Sequence, residues 1–127
     1  MQKSKSYKDL KIFVLAKELS VKIHRLTLEE FPKFEMYEEG NQIRRSSKSI
    51  VSNIVEGFGR RRYKNEFIQF LTYAIASCDE TKVHLEILHE TGSLKKDIFE
   101  ELSCNYEELC SKLFNFRKAV IEGHRAS

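Results

Sequence analysis

Proline and glycine are scarce, with one proline and five glycines among 127 residues. Both residue types weaken helices, so their scarcity favours an all-α fold. Tryptophan is absent, and no run of about 18 apolar residues long enough to span a membrane occurs. The amino-terminal segment lacks the apolar core of a signal peptide. Three cysteines without metal or redox spacing suit a reducing compartment, so we expect a cytoplasmic protein without membrane association.

The proline and the glycines separate four long segments that have helical apolar spacing. The third is the most regular, because its apolar residues alternate between spacings of four and three from Phe67 to Leu88. Short connections favour antiparallel neighbours. The sequence therefore predicts one domain over residues 1–127, an all-α, antiparallel up-and-down four-helix bundle. The expected helices are 8–28, 38–56, 64–90 and 95–122, with turns near Pro32 to Gly40, Gly57 to Gly59, and Gly92.

The first and third predicted helices are apolar on a second side as well. A surface helix needs only one apolar face, so a second face favours a contact with another subunit. Scattered surface hydrophobes are the alternative. We therefore predict a homo-oligomer whose interface includes Leu10, Val14 and Val21, with Leu28 on the same side, and Tyr73, Ala76, Val83 and Ile87.

Basic residues are concentrated between residues 40 and 64, where Glu56 is the only acid. Such a cluster holds phosphates, and arginine engages their oxygens in a bidentate way. Tyr63 adds a stacking surface for an unpaired base. A solvated charge run at a helix end is the alternative, and no helix-turn-helix, zinc-finger or RNP signature accompanies the cluster. We predict a nucleic-acid site, with RNA as the expected ligand, formed by Arg44, Arg45, Lys48, Arg60, Arg61, Arg62 and Lys64.

A stripe of small polar residues runs beside the apolar residues of the second predicted helix. Such groups usually form hydrogen bonds across a helix interface, because an unpaired buried polar group is costly. Glu80, in the middle of the second apolar side of the third helix, is a candidate partner for Asn53 or Arg45. An active site is the alternative, but no base with an orienting partner is nearby. The predicted structural network contains Gln42, Ser49, Asn53, Glu56 and Glu80, and Ser46 shares its stripe.

The sequence offers little support for an enzyme. Glu86 and His89 have the Glu-x-x-His spacing of di-iron bundles, but such sites need two of these motifs and two further carboxylates. Glu80 and His84 are one turn apart, which favours a surface pair. Cys78 falls in the apolar stripe and is expected to be a small core residue. We therefore expect no catalytic residues, no metal and no cofactor.

Three segments carry a recognisable pattern: FPKFE at 31–35, QIRRSSKSIVSNIVEGFGR at 42–60 and EFIQFLTYAIASCDE at 66–80. They resemble the four-helix-bundle family of ribosomal intervening-sequence proteins, which are encoded in insertions within bacterial large-subunit rRNA genes and also elsewhere in bacterial genomes. Ser46-Ser47 stands where many relatives carry alanine. The matching positions are Phe31, Pro32, Glu35, Gln42, Ile43, Arg44, Arg45, Ser49, Ile50, Asn53, Ile54, Glu56, Gly57, Gly59, Arg60, Glu66, Phe67, Phe70, Leu71, Ala74, Ser77 and Glu80.

The resemblance implies an up-and-down bundle that assembles as a homopentameric barrel. It also implies a relation to the accessory barrel protein of diversity-generating retroelements, which binds nucleic acid and a reverse transcriptase through a basic surface. The family offers no catalytic residues. We therefore expect a non-catalytic nucleic-acid-binding protein. The alternative is an assembly or adaptor module whose partner is another protein, for example a reverse transcriptase.

Overall fold

The computed structural model describes residues 5–36 and 38–123 of the chain. These residues form four α-helices and two short 3₁₀ helices, without a β-strand. The prediction of an all-α fold is therefore confirmed. The α-helices are α1 (Lys11–Glu29), α2 (Glu39–Gly59), α3 (Lys64–Glu90) and α4 (Lys96–Ile121), and the 3₁₀ helices are Tyr7–Asp9 and Lys33–Met36.

The four helices pack as an antiparallel bundle in chain order. The contact between α2 and α3 is the most extensive, α3 with α4 and α1 with α2 follow, and α1 touches α4 least. Because neighbouring helices run in opposite directions, α1 and α3 begin at the same end of the bundle at which α2 and α4 finish. We call this the basal end and the opposite one the apical end.

The predicted apolar stripes form the core. All seven stripe residues of α3 from Phe67 to Leu88 are buried, as are the four stripe residues of α2. At the basal end the Phe67 ring packs edge-on against Phe58 and Phe116, with centroids 6.4 and 5.8 Å away. Edge-to-face packing of this kind adds to the gain from burial. Four expected stripe residues border the core and are only half-buried: Leu15, Leu26, Ile98 and Phe116.

The start of α1 differs from the prediction. Ser6 and Asp9 form a capping box around the first 3₁₀ helix, in which Ser6 Oγ accepts from Lys8 N and Asp9 Oδ2 accepts from Ser6 N, both at 3.2 Å. These bonds end the first turn, so α1 begins at Lys11 rather than at residue 8. Leu10 lies in extended backbone at the joint and is buried in the core. Its assignment to an exposed oligomer interface is therefore wrong.

The end of α2 also differs, because Gly57 and Gly59 continue the helix instead of forming the turn. Gly57 lies where α2 approaches α3 closely: a Cβ atom there would come within 3.0 Å of Phe70 Cβ and 3.3 Å of Phe67 Cδ1. Glycine is therefore favoured by close packing at this crossing rather than by a turn. The chain turns at residues 60–63, three residues later than expected. The turn at Gly92 is as predicted, and its φ of 84° is one that glycine adopts without strain.

The other predicted interface residues are exposed. Val14, Val21 and Leu28 form an apolar ridge on α1, and 41–54% of each side chain is accessible. Tyr73, Ala76, Val83 and Ile87 form a second ridge on α3. Glu80 interrupts the second ridge, as the sequence indicated. Neither ridge is covered by the described residues of this chain.

Tyr106 in α4 carries the clearest stability prediction of the core. Its hydroxyl group is buried and has no hydrogen-bond partner among the described residues, and burial raises the pKa of the phenol above its ordinary value. Burying an unpaired hydroxyl costs about 1–3 kcal/mol, so Tyr106→Phe is expected to leave stability at pH 7 unchanged or to increase it. Because the folded phenol has the higher pKa, ionisation of Tyr106 lowers the stability of the wild type as pH rises above about 10, and the variant lacks this contribution. Urea unfolding at pH 7 and pH 10.5 measures both effects, and a clear destabilisation at pH 7 would contradict the prediction.

Candidate nucleic-acid interface

Charge is segregated between the two ends of the bundle. Each end comprises the six terminal residues of its four helices together with the adjoining described connections. The apical end holds ten carboxylates against five cations, and the basal end holds nine cations against four carboxylates. The basal cations are Lys5, Lys8, Lys11, Arg60, Arg61, Arg62, Lys64, Arg117 and Lys118, and its acids are Asp9, Glu56, Glu66 and Glu122.

Arg60 occupies the first position after α2 and is held by acids on both sides. Its guanidinium group lies 2.9 Å from Glu66 Oε1 and 3.6 Å from Glu56 Oε2, and it rests over the Phe70 ring at 5.0 Å. The hydrogen bond to Glu66 raises the pKa of Arg60 above its ordinary value. Both acids partly neutralise Arg60, so it contributes less positive potential than the sequence suggested.

Arg61 is fixed by the backbone of α2. Its Nη1 donates to the carbonyl oxygen of Phe58 at 3.0 Å, and its guanidinium carbon lies 4.0 Å from the centroid of the Phe58 ring. A carbonyl bond at a helix carboxyl end and a cation–π contact both leave the charge of arginine intact. Arg61 is half-buried. It therefore supplies a fixed positive charge at the base of the turn.

Arg62, Tyr63 and Lys64 form the exposed part of the turn. Within the described part of the chain, neither cation makes an ion pair or a side-chain hydrogen bond, and 59% of the Tyr63 side chain is accessible. Free cations beside an exposed aromatic ring are the groups that single-stranded nucleic acids contact. These three residues, with Arg60 and Arg61, are called the basal turn below.

The three predicted site residues of α2 do not lie in the basal turn. Successive helical residues point about 100° apart, so Arg44 and Arg45 face different neighbours. Arg44 is half-buried on the side of α1, where Nη1 donates to Thr27 Oγ1 at 3.0 Å. Arg45 pairs with Glu80 of α3. Lys48 is exposed, but it precedes Arg60 by about 18 Å of helix. Seven cations clustered in sequence are therefore divided among four places.

Glu80 is the centre of a polar network between α2 and α3. It accepts from Arg45, whose Nη2 also lies 3.1 Å from Gln42 Oε1, and it lies 3.1 Å from His84 Nε2. The other ring nitrogen of His84 is 2.7 Å from Glu39 Oε2. His84 is largely buried, so the expected surface pair of Glu80 and His84 is instead part of a helix contact. Arg45 is the partner of Glu80, and Asn53 is not.

Ser49 and Asn53 belong to a second, smaller group of polar contacts. Ser49 Oγ lies 3.0 Å from Ser77 Oγ, and the Asn53 amide donates to the carbonyl oxygen of Ser49 at 2.9 Å. One turn earlier on α2, Ser46 Oγ lies 2.8 Å from Thr81 Oγ1 of α3. The Thr81 hydroxyl group donates to the carbonyl oxygen of Ser77. Glu56 lies outside both groups, because it faces Arg60. The predicted single network is therefore two groups plus one separate acid.

Several basal cations were missed by the sequence reasoning. Lys5, Lys8 and Lys11 come from the start of the chain, and Arg117 and Lys118 come from its last helix. They lie at the same end as the basal turn because α1 begins, and α4 ends, at that end of the bundle. The predicted up-and-down order of the helices already implied that the start of α1 and the end of α4 lie at one end. A charge count along the sequence does not show this grouping, whereas a count by bundle end does.

The histidine and cysteine residues considered as metal or reactive sites have packing roles in the structure. Within the described ranges, no three His, Cys, Asp or Glu side chains are arranged to hold a metal ion. The His89 ring stacks on Phe99 with centroids 4.4 Å apart. Cys78 is buried in the core, and burial raises the pKa of its thiol. No helix among the described residues is long and apolar enough to cross a membrane.

By its fold and its charge distribution the protein is a small four-helix bundle with one basic and one acidic end. The model of the 23S rRNA-intervening sequence protein family matches residues 8–115. The chain belongs to this family, and the predicted resemblance is confirmed. A crystal structure from Bacteroides thetaiotaomicron, of a protein of unknown function from the S23 ribosomal protein family, is similar with a TM-score of 0.77. The two share 25% identity, and the similarity covers 84% of this chain and 95% of that one. A search of curated proteins returned no match.

Proposed function

We propose that the protein binds RNA at its basal end and catalyses no reaction. The main support is the separation of charge, because the surplus of cations lies at the basal end and acids prevail at the other. Phosphate neutralisation by clustered Lys and Arg gives affinity that is largely independent of base sequence. The free cations Arg62 and Lys64 are the principal phosphate contacts. Arg61 supplies a fixed charge beside them.

RNA is preferred to other polyanions because of the family to which the chain belongs. The description of that family refers to 23S rRNA. The proposal goes further than this description, since it assigns binding to this chain and to particular residues. The cytoplasmic location expected from the sequence is compatible with such a partner and stays a prediction. So does the relation to retroelement accessory proteins.

We further propose that the protein acts as a homo-oligomer, for which the pentamer implied by the resemblance is the expected form. The support is the pair of exposed apolar ridges on α1 and α3, which the described residues of one chain leave uncovered. Oligomerisation would bring several basal ends onto one assembly. Weak contacts to a single RNA would then act together through avidity.

A protein partner is the second candidate function, and the same ridges favour it. A ridge that binds a different protein is not available for self-association. Measuring the mass of the purified protein by light scattering tests between these uses. A mass that is a multiple of the chain mass supports self-association through the ridges. A stable monomer that retains a protein from lysate after nuclease treatment supports the adaptor function.

Titration of RNA onto protein of measured mass, at salt concentrations from about 50 to 200 mM, tests RNA binding directly. For three to five neutralised phosphates per chain, the logarithm of the affinity is expected to fall with the logarithm of the salt concentration, with a slope of about −2 to −3.5. An uncharged polymer of similar length is the control. Undetectable binding at 50 mM salt, or binding that salt leaves unchanged, would overturn the proposed function.

A further inference from the structure

A cleft opens at the basal end between the beginning of α1 and the end of α4, the two helices that touch least. Its volume is about 360 Å³, which is within the range of small-ligand pockets. Leu10, Ile12 and Phe116 provide apolar lining, and all three are buried or half-buried. The cleft therefore has room for a group of about one ring system.

Polar residues line the rest of this cleft, namely Lys11, Lys112, Asn115 and Asp9. Both lysines are exposed and make no ion pair with a described residue. The Asp9 carboxylate is already engaged, because it accepts from the backbone nitrogens of Lys5 and Ser6 at 3.2 Å. The free groups are thus two cations and an amide, which suit a planar group that carries hydrogen-bonding edges and a phosphate.

The cleft and the basal turn lie on the same end of the molecule. A chain of aromatic contacts joins them: Arg61 rests 4.0 Å from the Phe58 ring, which is 6.4 Å from Phe67, which is 5.8 Å from Phe116 in the cleft. The guanidinium group of Arg61 in the basal turn and the ring of Phe116 in the cleft are therefore no more than about 16 Å apart, a distance that a few nucleotides of one strand can span.

We propose that the basal end binds an unpaired, single-stranded segment of RNA. One base occupies the cleft between α1 and α4, another stacks on Tyr63, and the free lysines and Arg62 contact the intervening phosphates. A duplex keeps its bases stacked inside the helix, so neither the cleft nor Tyr63 can reach the face of a base. A duplex therefore contacts only the cations. This inference rests on the proposed function and adds the class of RNA that is bound.

The test compares the affinities of a single-stranded RNA and of a blunt-ended RNA duplex of equal charge at one salt concentration. The wild-type protein is expected to bind the single strand more tightly. Tyr63→Ser is expected to lower the single-strand affinity about fivefold or more and to leave duplex affinity unchanged. Tyr63→Phe, which retains the ring, is expected to behave as wild type. Ala119→Phe, which fills the cleft, is expected to reduce the single-strand preference.

The outcomes separate this inference from the proposed function. Equal wild-type affinity for the two RNAs, or an equal loss for both in Tyr63→Ser, would overturn the single-strand assignment while RNA binding stands. Failure to bind either RNA would overturn the proposed function itself. Tyr63 is exposed, so its variants are expected to fold, and circular dichroism of each variant verifies this. If Ala119→Phe alone unfolds, the two Tyr63 variants still decide the result.

Discussion

Replacing Arg62 and Lys64 by glutamate is expected to weaken RNA binding at least tenfold at about 0.1 M salt. Both cations are exposed in the basal turn and have no acidic partner among the described residues, so their charge is available to phosphates. Losing two phosphate contacts to a single strand also makes the salt dependence shallower by about 1.4 in slope. Fluorescence anisotropy with a labelled RNA at several salt concentrations measures the affinity and the slope together.

The double variant Lys95→Glu and Lys96→Glu is a matched control. It changes the net charge by the same amount, and it lies at the start of α4, at the apical end. We expect it to change RNA affinity by less than about threefold, because exposed charges farther apart than the Debye length of about 10 Å are largely screened. Equal weakening by the two variants would show that net charge alone controls binding. The basal turn would then lose its assignment.

Phe67→Ala is expected to destabilise the protein by about 3–5 kcal/mol. The side chain is 1% exposed and packs edge-on between Phe58 and Phe116, which belong to α2 and α4. Its removal leaves a cavity at the point where three helices meet, and close-packed helices relax only partly into such a cavity. Urea unfolding monitored by circular dichroism is expected to show a lower midpoint with little change in the steepness of the transition.

Phe114→Ala is the control for this prediction. It removes the same atoms from α4, but half of the Phe114 side chain is exposed and the ring contacts Arg117 rather than the core. A loss below about 1 kcal/mol is expected there. If the two variants lost equal stability, Phe67 would not be the packing centre of the basal end.

The fold was predictable because apolar periodicity reports which side of a helix is buried. The regular spacing of α3 located all seven of its buried stripe residues, and its ends at Lys64 and Glu90 are as predicted. The errors occurred where local contacts compete with periodicity. Leu10 follows a helical apolar spacing, but the capping box of Ser6 and Asp9 ends the turn before it. Gly57 suggested a turn, whereas its small size serves the approach of α2 to α3.

The candidate site was predicted less completely, because neighbours in sequence are not neighbours in space on a helix. Arg44 and Arg45 are adjacent residues, yet one contacts α1 and the other contacts α3. Conversely, Lys11 and Arg117 are far apart in sequence and share the basal end. Side-chain pairing was also hidden: nothing in the order of residues shows that Glu66 lies 2.9 Å from Arg60 while Arg62 is left free. Pairing of this kind depends on rotamers that packing fixes.

The opposite charges of the two ends give the molecule a large electric dipole moment along the bundle axis. The long helices hold the surplus charges apart by tens of ångströms, since the 27 residues of α3 alone extend about 40 Å. In the field of a polyanion such a molecule experiences a torque that turns its basal end forward before contact. A larger fraction of encounters then has the orientation needed for binding. Association is therefore faster at low ionic strength than the small net charge of +3 suggests.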